Sequence, residues 1–252
     1  MKITRRPRLA AATIFFILGL VWAGCFVKFR ETSCELFPNT PFEIYELTDA
    51  SQGGTSTAVL DLSDSLLGVE INVRSGVAYP AVGIGFNLRS VDNRPVDYFD
   101  FSMYDTMEVE LATKRMSSVS VRILTDDPVY SKDGFRETLR PVVYNVPATR
   151  SLTSVKFPVS NFRTAVWWIA AMGMDEDDGF THLHRSVSLE ITNGDGVMRG
   201  IPDEISVKKV HAWGINRDFE KVMYAILLLM GVTLTIMETV MFRKRDNTSS
   251  KK

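Results

Sequence analysis

The chain holds two cysteines and three histidines in 252 residues. Two cysteines cannot build a disulfide-stapled mini-protein or a four-cysteine zinc site. No Gly-x-Ser-x-Gly elbow is present, and neither cysteine has an activating histidine nearby in sequence. No phosphate loop or dinucleotide fingerprint appears. Gly83 and Gly85 lie in a strand-like pattern without the following helix that such a site needs. Sequence repeats and low-complexity runs are absent. These absences speak against an enzyme of the nucleophilic, nucleotide-dependent or zinc classes. Paired carboxylates such as Glu108 and Glu110 sit at ordinary strand-face spacing. A glycosidase needs two carboxylates facing each other across a cleft.

The formal net charge of −1 conceals an asymmetry. Residues 1–28 carry five basic residues and no acid, and residues 243–252 carry five basic residues and one acid. Residues 29–221 hold 19 basic and 28 acidic residues, a net of −9. An acidic domain between two basic tails argues against nucleic acid as a partner, because that partner needs a basic face. It suits a chain anchored in a membrane.

Two apolar stretches supply the anchors. Leu9 to Val27 is 19 residues without a charge, and Val222 to Phe242 is 21 residues with one, Glu238. About 20 mostly apolar residues cross the hydrocarbon core as a helix. Lys2, Arg5, Arg6 and Arg8 precede the first stretch, and Arg243, Lys244 and Arg245 follow the second. Basic flanks favour the cytoplasmic side. The layout expected is therefore a basic tail at 1–8, a span at 9–27, an outer domain at 28–221, a span at 222–242 and a basic tail at 243–252. Both termini would be cytoplasmic and the acidic domain periplasmic, in a bacterial inner membrane. Two rival outcomes stay open for the first stretch. It has the outline of a cleavable signal peptide, and Ala23-Gly24-Cys25 has the outline of a lipoprotein signal, with Trp22 at the usual aliphatic position. Glu238, near the end of the second span, reaches the interface or pairs locally. Gly19 and Ala23 form a small-xxx-small pair. The last ten residues, RKRDNTSSKK, are expected not to fold and to carry no effector domain.

The outer segment alternates with period two. Val69, Ile71 and Val73 interleave with polar residues, as do Met107, Val109 and Leu111, then Val119, Val121 and Ile123, then Val187, Leu189 and Ile191. Ile205, Val207 and Val210 continue the habit. Such alternation predicts half-buried antiparallel strands. Further strands are expected at 42–47, 57–62, 81–89, 140–146 and 152–158, about ten in all. Loops fall at Ser51–Gly54, Asp92–Pro95 and Asp126–Pro128, and Asn193-Gly194-Asp195-Gly196 is a tight turn. Short helices fit only Ser160–Arg163 and the stretch after Trp168. The fold class expected is mainly β, an antiparallel sandwich flanked by two membrane helices.

The motifs FDFSMYDTMEVELAT (99–113), SSVSVRILTDD (117–127), LTSVKFPVSNFRTAVWW (152–168), HRSVSLEITNGDG (184–196) and IPDEISVKKVHAWG (201–214) follow in order. Over roughly 80–214 they resemble the galactose-binding-like jelly roll shared by carbohydrate-binding modules and the complex-I-intermediate-associated family. The resemblance implies a rigid sandwich and a glycan as ligand. The arrangement of span, jelly roll and span is similar to the sensor half of bacterial membrane receptors, which implies signal transduction.

Trp167 and Trp168, taken as extended, face opposite sides, so one fills the core and the other offers a platform for a sugar ring. Trp168, Asp126 and Asp127 flank expected loops and are the candidate ligand-binding residues. Trp213 suits the membrane interface. Asp175-Glu176-Asp177-Asp178-Gly179 is a solvated acidic loop or, less simply, a structural calcium site. His182 and His184 would share one side of a surface strand. No cofactor is expected. The function expected is a membrane-anchored ligand-binding or sensory module without catalysis. The alternative is a protein-interaction subunit of an inner-membrane complex, held by membrane-protein partners.

Overall fold

The computed structural model describes residues 5–63, 65–91, 94–175 and 179–249. The chain forms two compact units, one from Met1–Thr32 with Ile215–Lys252 and the other from Ser33–Gly214.

The first unit is a helix pair, α1 (Arg5–Phe29) and α2 (Arg217–Ser249) once the short helix of the sandwich is set aside; that short helix is here called αS (Val166–Ala171). Windows at Ala12–Phe29 and Arg217–Val240 are long and apolar enough to cross a membrane. The helices meet at the end where α1 stops and α2 starts. Trp22 Nε1 donates to the Met223 carbonyl at 2.8 Å, Phe26 lies against Tyr224, and Phe29 lies edge-on to Phe219. Arg30 Nε donates to Glu220 at 2.7 Å. The helices are therefore antiparallel. Asn216 caps α2 by accepting from the Phe219 amide at 3.0 Å, and Asp218 and Glu220 sit in the first turn, where the helix dipole favours acids. On α1 the half-buried positions include Phe15, Gly19, Trp22 and Phe26, whereas Ala23 is exposed. The contacts with α2 come from Trp22, Phe26 and Phe29, and nothing lies within 4 Å of where a Cβ on Gly19 would stand, so the Gly19–Ala23 pair is not the packing face. A correction concerns the last residues. The helix continues through Arg243–Ser249, where no fold was expected. Extending an existing helix adds a hydrogen bond per residue without a new nucleus.

The second unit is a two-layer sandwich. Its strands are β1 (Glu31–Phe37), β2 (Phe42–Leu47), β3 (Thr57–Leu62), β4 (Leu67–Asn72), β5 (Gly83–Val91), β6 (Arg94–Pro95), β7 (Thr106–Thr113), β8 (Ser118–Thr125), β9 (Arg140–Pro147), β10 (Thr153–Pro158), β11 (Arg163–Thr164), β12 (Ser186–Asn193) and β13 (Asp203–Ile215). One sheet has the order β10-β7-β13-β4-β3, with β1 also on β13. The other has the order β11-β9-β8-β12-β5-β2, with β6 also on β5. The central strands β4-β13-β7-β10 face β5-β12-β8-β9, and their chain order is the double Greek key of a jelly roll. The fold expected from the motif order is the one formed.

The core is the inward half of each alternation. Val69 and Ile71, Ile84 and Phe86, Val109 and Leu111, Val121 and Ile123, and Leu189 and Ile191 are all buried. In β13 the register on β7 shifts between Val207 and Lys209. That bulge explains why the buried positions step from Ile205 and Val207 to Val210 and Ala212. It leaves Lys209, His211 and Trp213 on the outer face. Gly194 tightens the β12–β13 turn, because a Cβ there would meet the Ser118 carbonyl, and Gly196 takes a φ of 84°.

Two local expectations change. Trp167 and Trp168 do not lie on an extended segment but in αS, and Val159–Asn161 forms a single 3-10 turn at the expected helix of 160–163. His182 adopts a left-handed φ of 47° and His184 lies in a 3-10 turn, so this pair is not on a strand. Asp92, Asn93 and the centre of the acidic run, Glu176 to Asp178, lie outside the described residues.

Candidate functional site

The three candidate residues converge at one end of the second sheet, where β8 ends and β9 begins. Asp127 follows β8 by two residues and is 2% exposed. Its Oδ1 accepts from the Val129 and Tyr130 amides at 2.8 and 3.1 Å, which bends the chain at Pro128. Its Oδ2 faces Arg140 Nε at 2.9 Å and His182 Nε2 at 3.6 Å. Arg140 is fully buried at the start of β9. Its guanidinium lies 5.0 Å from the Trp168 ring centroid and donates to the Phe180 carbonyl. Tyr130 meets Trp168 edge-to-face at 5.6 Å. An ion pair this deep survives only when the remaining donors are satisfied, and the carbonyl and the indole face serve that end.

Trp168 is therefore a floor. It is 0% exposed, and its ring has no face open to a ligand in this conformation. Helical geometry is the reason: αS turns Trp168 inward over Arg140 and leaves Trp167 half-buried on the rim. Trp167 stacks on Tyr79, with centroids 6.3 Å apart and planes 20° from parallel. Val166 and Phe180 stand beside this floor, 81% and 67% exposed. Val129 and Phe135 are exposed on the 126–139 loop. The segments that enclose Arg140 thus carry apolar and aromatic groups outward.

Asp126 belongs to a neighbouring cluster. Its Oδ2 accepts from the Tyr98 hydroxyl and from Arg185 Nη2 at 2.5 Å, and the Arg185 and Arg89 guanidinium groups lie over the Tyr98 ring. Burial works against the Asp126 charge, but the Tyr98 hydroxyl and Arg185 outweigh it and hold the carboxyl below the usual aspartate value. The same bond raises the Tyr98 phenol. Asp126 Oδ1 carries no hydrogen bond among the described residues, so one oxygen remains for a hydroxyl ligand.

A third cluster was not anticipated. Glu190, on β12, points to the outer face of the second sheet yet is fully buried. Arg122 Nε donates to its Oε2 at 2.6 Å, Arg136 to its Oε1, and the Tyr45 hydroxyl lies 3.2 Å from Oε1. Gly85 makes the room, because a Cβ there would strike the Tyr45 ring. Glycine inside a strand is the signal that could have revealed this close approach.

Elsewhere, Glu108 and Glu110 lie on the outer face of the first sheet, as expected. They bond Lys209 at 2.8 Å and Lys208 at 3.0 Å, and Lys209 with Ser154 lowers the Glu108 carboxyl below its ordinary value. Trp213 stacks on His211 with centroids 5.1 Å apart, and Lys156 lies 5.5 Å from its ring. Cys34 is half-buried beside Tyr104. Burial pushes its thiol up and the Tyr104 phenol to about 12. Among the described residues, no three His, Cys, Asp or Glu side chains are grouped to hold a metal ion.

No protein-family model and no curated protein matches the chain. Among solved structures, the chain is similar to a family 11 carbohydrate-binding module from Clostridium thermocellum, determined with a β-1,3-1,4-mixed-linked tetrasaccharide. The identity is 12% and the TM-score 0.47, over 73% of this chain and 95% of that one. A family 30 carbohydrate-binding module is 12% identical with a TM-score of 0.43, over 72% of this chain and 98% of that one. A low-affinity xylan-binding module from Roseburia intestinalis is 8% identical with a TM-score of 0.34, over 75% and 97%. The jelly-roll assignment rests on the strand order and not on these likenesses.

Proposed function

We propose that this protein is a membrane-anchored, non-catalytic ligand-binding module whose jelly roll takes a glycan at the rim of αS. The observation that carries the reading is the Trp167–Tyr79 stack beside a rigid floor of Trp168, Arg140 and Asp127. A sugar ring packs its apolar face on such an aromatic, and nearby polar groups fix its orientation. Asp126 supplies a carboxylate oxygen at the adjoining cluster. The stacking role falls to Trp167, and Trp168 and Asp127 support it from below.

The helix pair supports the anchored reading, since antiparallel spans return both termini to one side. The basic flanks put that side in the cytoplasm and the acidic sandwich in the periplasm of a bacterial inner membrane. A sensory role would pass ligand occupancy to partner helices through α1 and α2.

The test is the thermal stability of the full chain in detergent micelles against a panel of oligosaccharides, with and without calcium. A ligand that binds only the folded state at one hundred times its dissociation constant adds about 2.7 kcal/mol. A specific rise in Tm that Trp167→Ala abolishes supports the reading, and no rise across the panel overturns it. The second reading, a protein-interaction subunit, draws on Val59 and Leu62, which are exposed on the edge strand β3. Covalent capture of a membrane partner by photo-crosslinkers at those two positions would favour it.

A further inference from the structure

The connection from β8 to β9 runs from residue 126 to residue 139 and carries one short helical element, the 3-10 turn Arg136–Thr138. A connection of that length is uncommon in a compact domain and is usually a lid or a binding loop. Its ends are fixed. Asp127 and Arg140 are buried and meet at 2.9 Å. Between them, none of residues 128–139 is buried. The loop is held together by its own bonds. The Ser131 amide donates to the Asp127 carbonyl at 3.0 Å, the Lys132 amide to Thr138 Oγ1 at 2.8 Å, and Thr138 Oγ1 to the Phe135 carbonyl at 2.7 Å. Gly134, with a φ of 80°, turns the tip. A segment whose ends meet and whose bonds are internal can move as one body. Solvent-exposed backbone bonds and the lack of a buried side chain place it among the parts of a fold that open first.

Two side chains tie this body to the rest of the sandwich. Tyr130 lies against Trp168, and Arg136 crosses to the outer face of the second sheet. There Arg136 donates to Glu190 Oε1 and to the Tyr45 hydroxyl at 3.1 Å, with its guanidinium 5.5 Å from the Tyr45 ring centroid. The Glu190 side chain is fully buried, whereas that of Arg136 is 42% exposed. Glu190 does not depend on Arg136 alone. It also accepts from Arg122 Nε at 2.6 Å, from the Tyr45 hydroxyl at 3.2 Å and from the Ser188 hydroxyl at 3.3 Å. Release of Arg136 therefore leaves the carboxylate paired, and opening avoids the large penalty of an orphaned buried charge.

We propose that residues 128–139 form a lid at the αS rim, latched shut by Arg136 on Glu190. The lid brings Tyr130 to its edge-to-face contact with Trp168 and carries Val129 and Phe135 outward beside it. Opening lifts Tyr130 off that floor and uncovers the pair of Glu190 and Arg122. That the lid gates a saccharide rests on the glycan reading above; the latch itself does not.

The test is hydrogen exchange of the full chain in detergent micelles, followed from milliseconds by quench flow and mass spectrometry. Arg136→Gln is expected to speed exchange over 129–139 by at least about tenfold, as loss of a charge-assisted contact implies, with peptides from β8, β9 and β12 unchanged. Glu137→Gln, one residue along and without a polar partner among the described residues, is expected to exchange like the parent. Unchanged exchange in Arg136→Gln overturns the proposal. So does an equal rise across the strands, or an equal rise in Glu137→Gln. A neutral mixed-linkage glucan tetrasaccharide, with binding followed by calorimetry, is expected to slow exchange over 129–139 in the parent. A bound tetrasaccharide that leaves 129–139 unchanged overturns the lid at the rim. Failure of the saccharide to bind counts against the glycan reading, while the two variants still decide the latch.

Discussion

Trp168 and Trp167 are neighbours in sequence with opposite duties, and substitution separates them. Trp168→Ala empties a filled site and uncovers a buried guanidinium. It is expected to cost about 3–5 kcal/mol, measured by chemical denaturation. Trp167→Ala removes a half-exposed ring and is expected to cost under about 1 kcal/mol while abolishing any glycan response. Equal losses of stability would contradict this division of roles. Asp127→Ala removes the carboxylate that faces the buried Arg140 Nε, and about 3–5 kcal/mol of destabilisation is expected from the same measurement. His211 gives a pH signature. Burial first, then Lys209 and Lys156, push its imidazole below 6.5, against the opposing pull of Glu108 and Glu35. The folded state therefore binds this proton less readily than the unfolded chain. The contribution is complete above pH 6.5 and is lost as pH falls from there through the lowered value. Stability should decline over that window in the parent protein, and His211→Gln should flatten the decline. Deciding which member of the tryptophan pair is buried needed the local conformation. An extended reading of VWW assigns opposite faces but not which face is inside, and αS settles it through contacts with Tyr130 and Arg140 that lie far away in the chain.

Strands were the most legible elements, because period-two alternation follows directly from one buried face. The stretches 42–47 and 57–62 coincide with β2 and β3, and 140–146 falls within β9. β1 was missed: ETSCELF does not alternate, and its pairing with β13 is long-range. The buried Glu190 cluster was equally hidden, since outward polar residues on a strand look solvated until a loop covers them. Only Gly85 hinted at that approach. The β13 bulge was visible as the three-residue step from Val207 to Val210, without its consequence for the face of Lys209, His211 and Trp213. Deleting Lys208 removes the extra residue and leaves a regular alternation with Val207, Val210 and Ala212 still inward and Lys209, His211 and Trp213 still outward. The variant is expected to keep a cooperative unfolding transition by near-UV circular dichroism. Loss of that transition would refute Lys208 as the extra residue of the bulge.

At the scale of the whole molecule, the acidic stretch 29–221 and the basic ends differ in charge, and the proposed anchoring would put them in different surroundings. The two helices were legible by length and hydropathy alone, and their pairing was not, because it depends on Trp22 reaching the Met223 carbonyl, 201 residues away, and on aromatic contacts between the same two distant segments. If both helices span, the domain and the termini must lie on opposite faces of the bilayer. Protease added to the outer side of spheroplasts should then digest the sandwich and leave tags on both termini intact, each attached to a membrane-bound fragment. A cleaved first span would instead release the N-terminal tag before protease is added. Loss of the C-terminal tag to external protease would reverse the orientation. Because the two tags report separately, the experiment tests the first span, the second span and their shared orientation in one preparation.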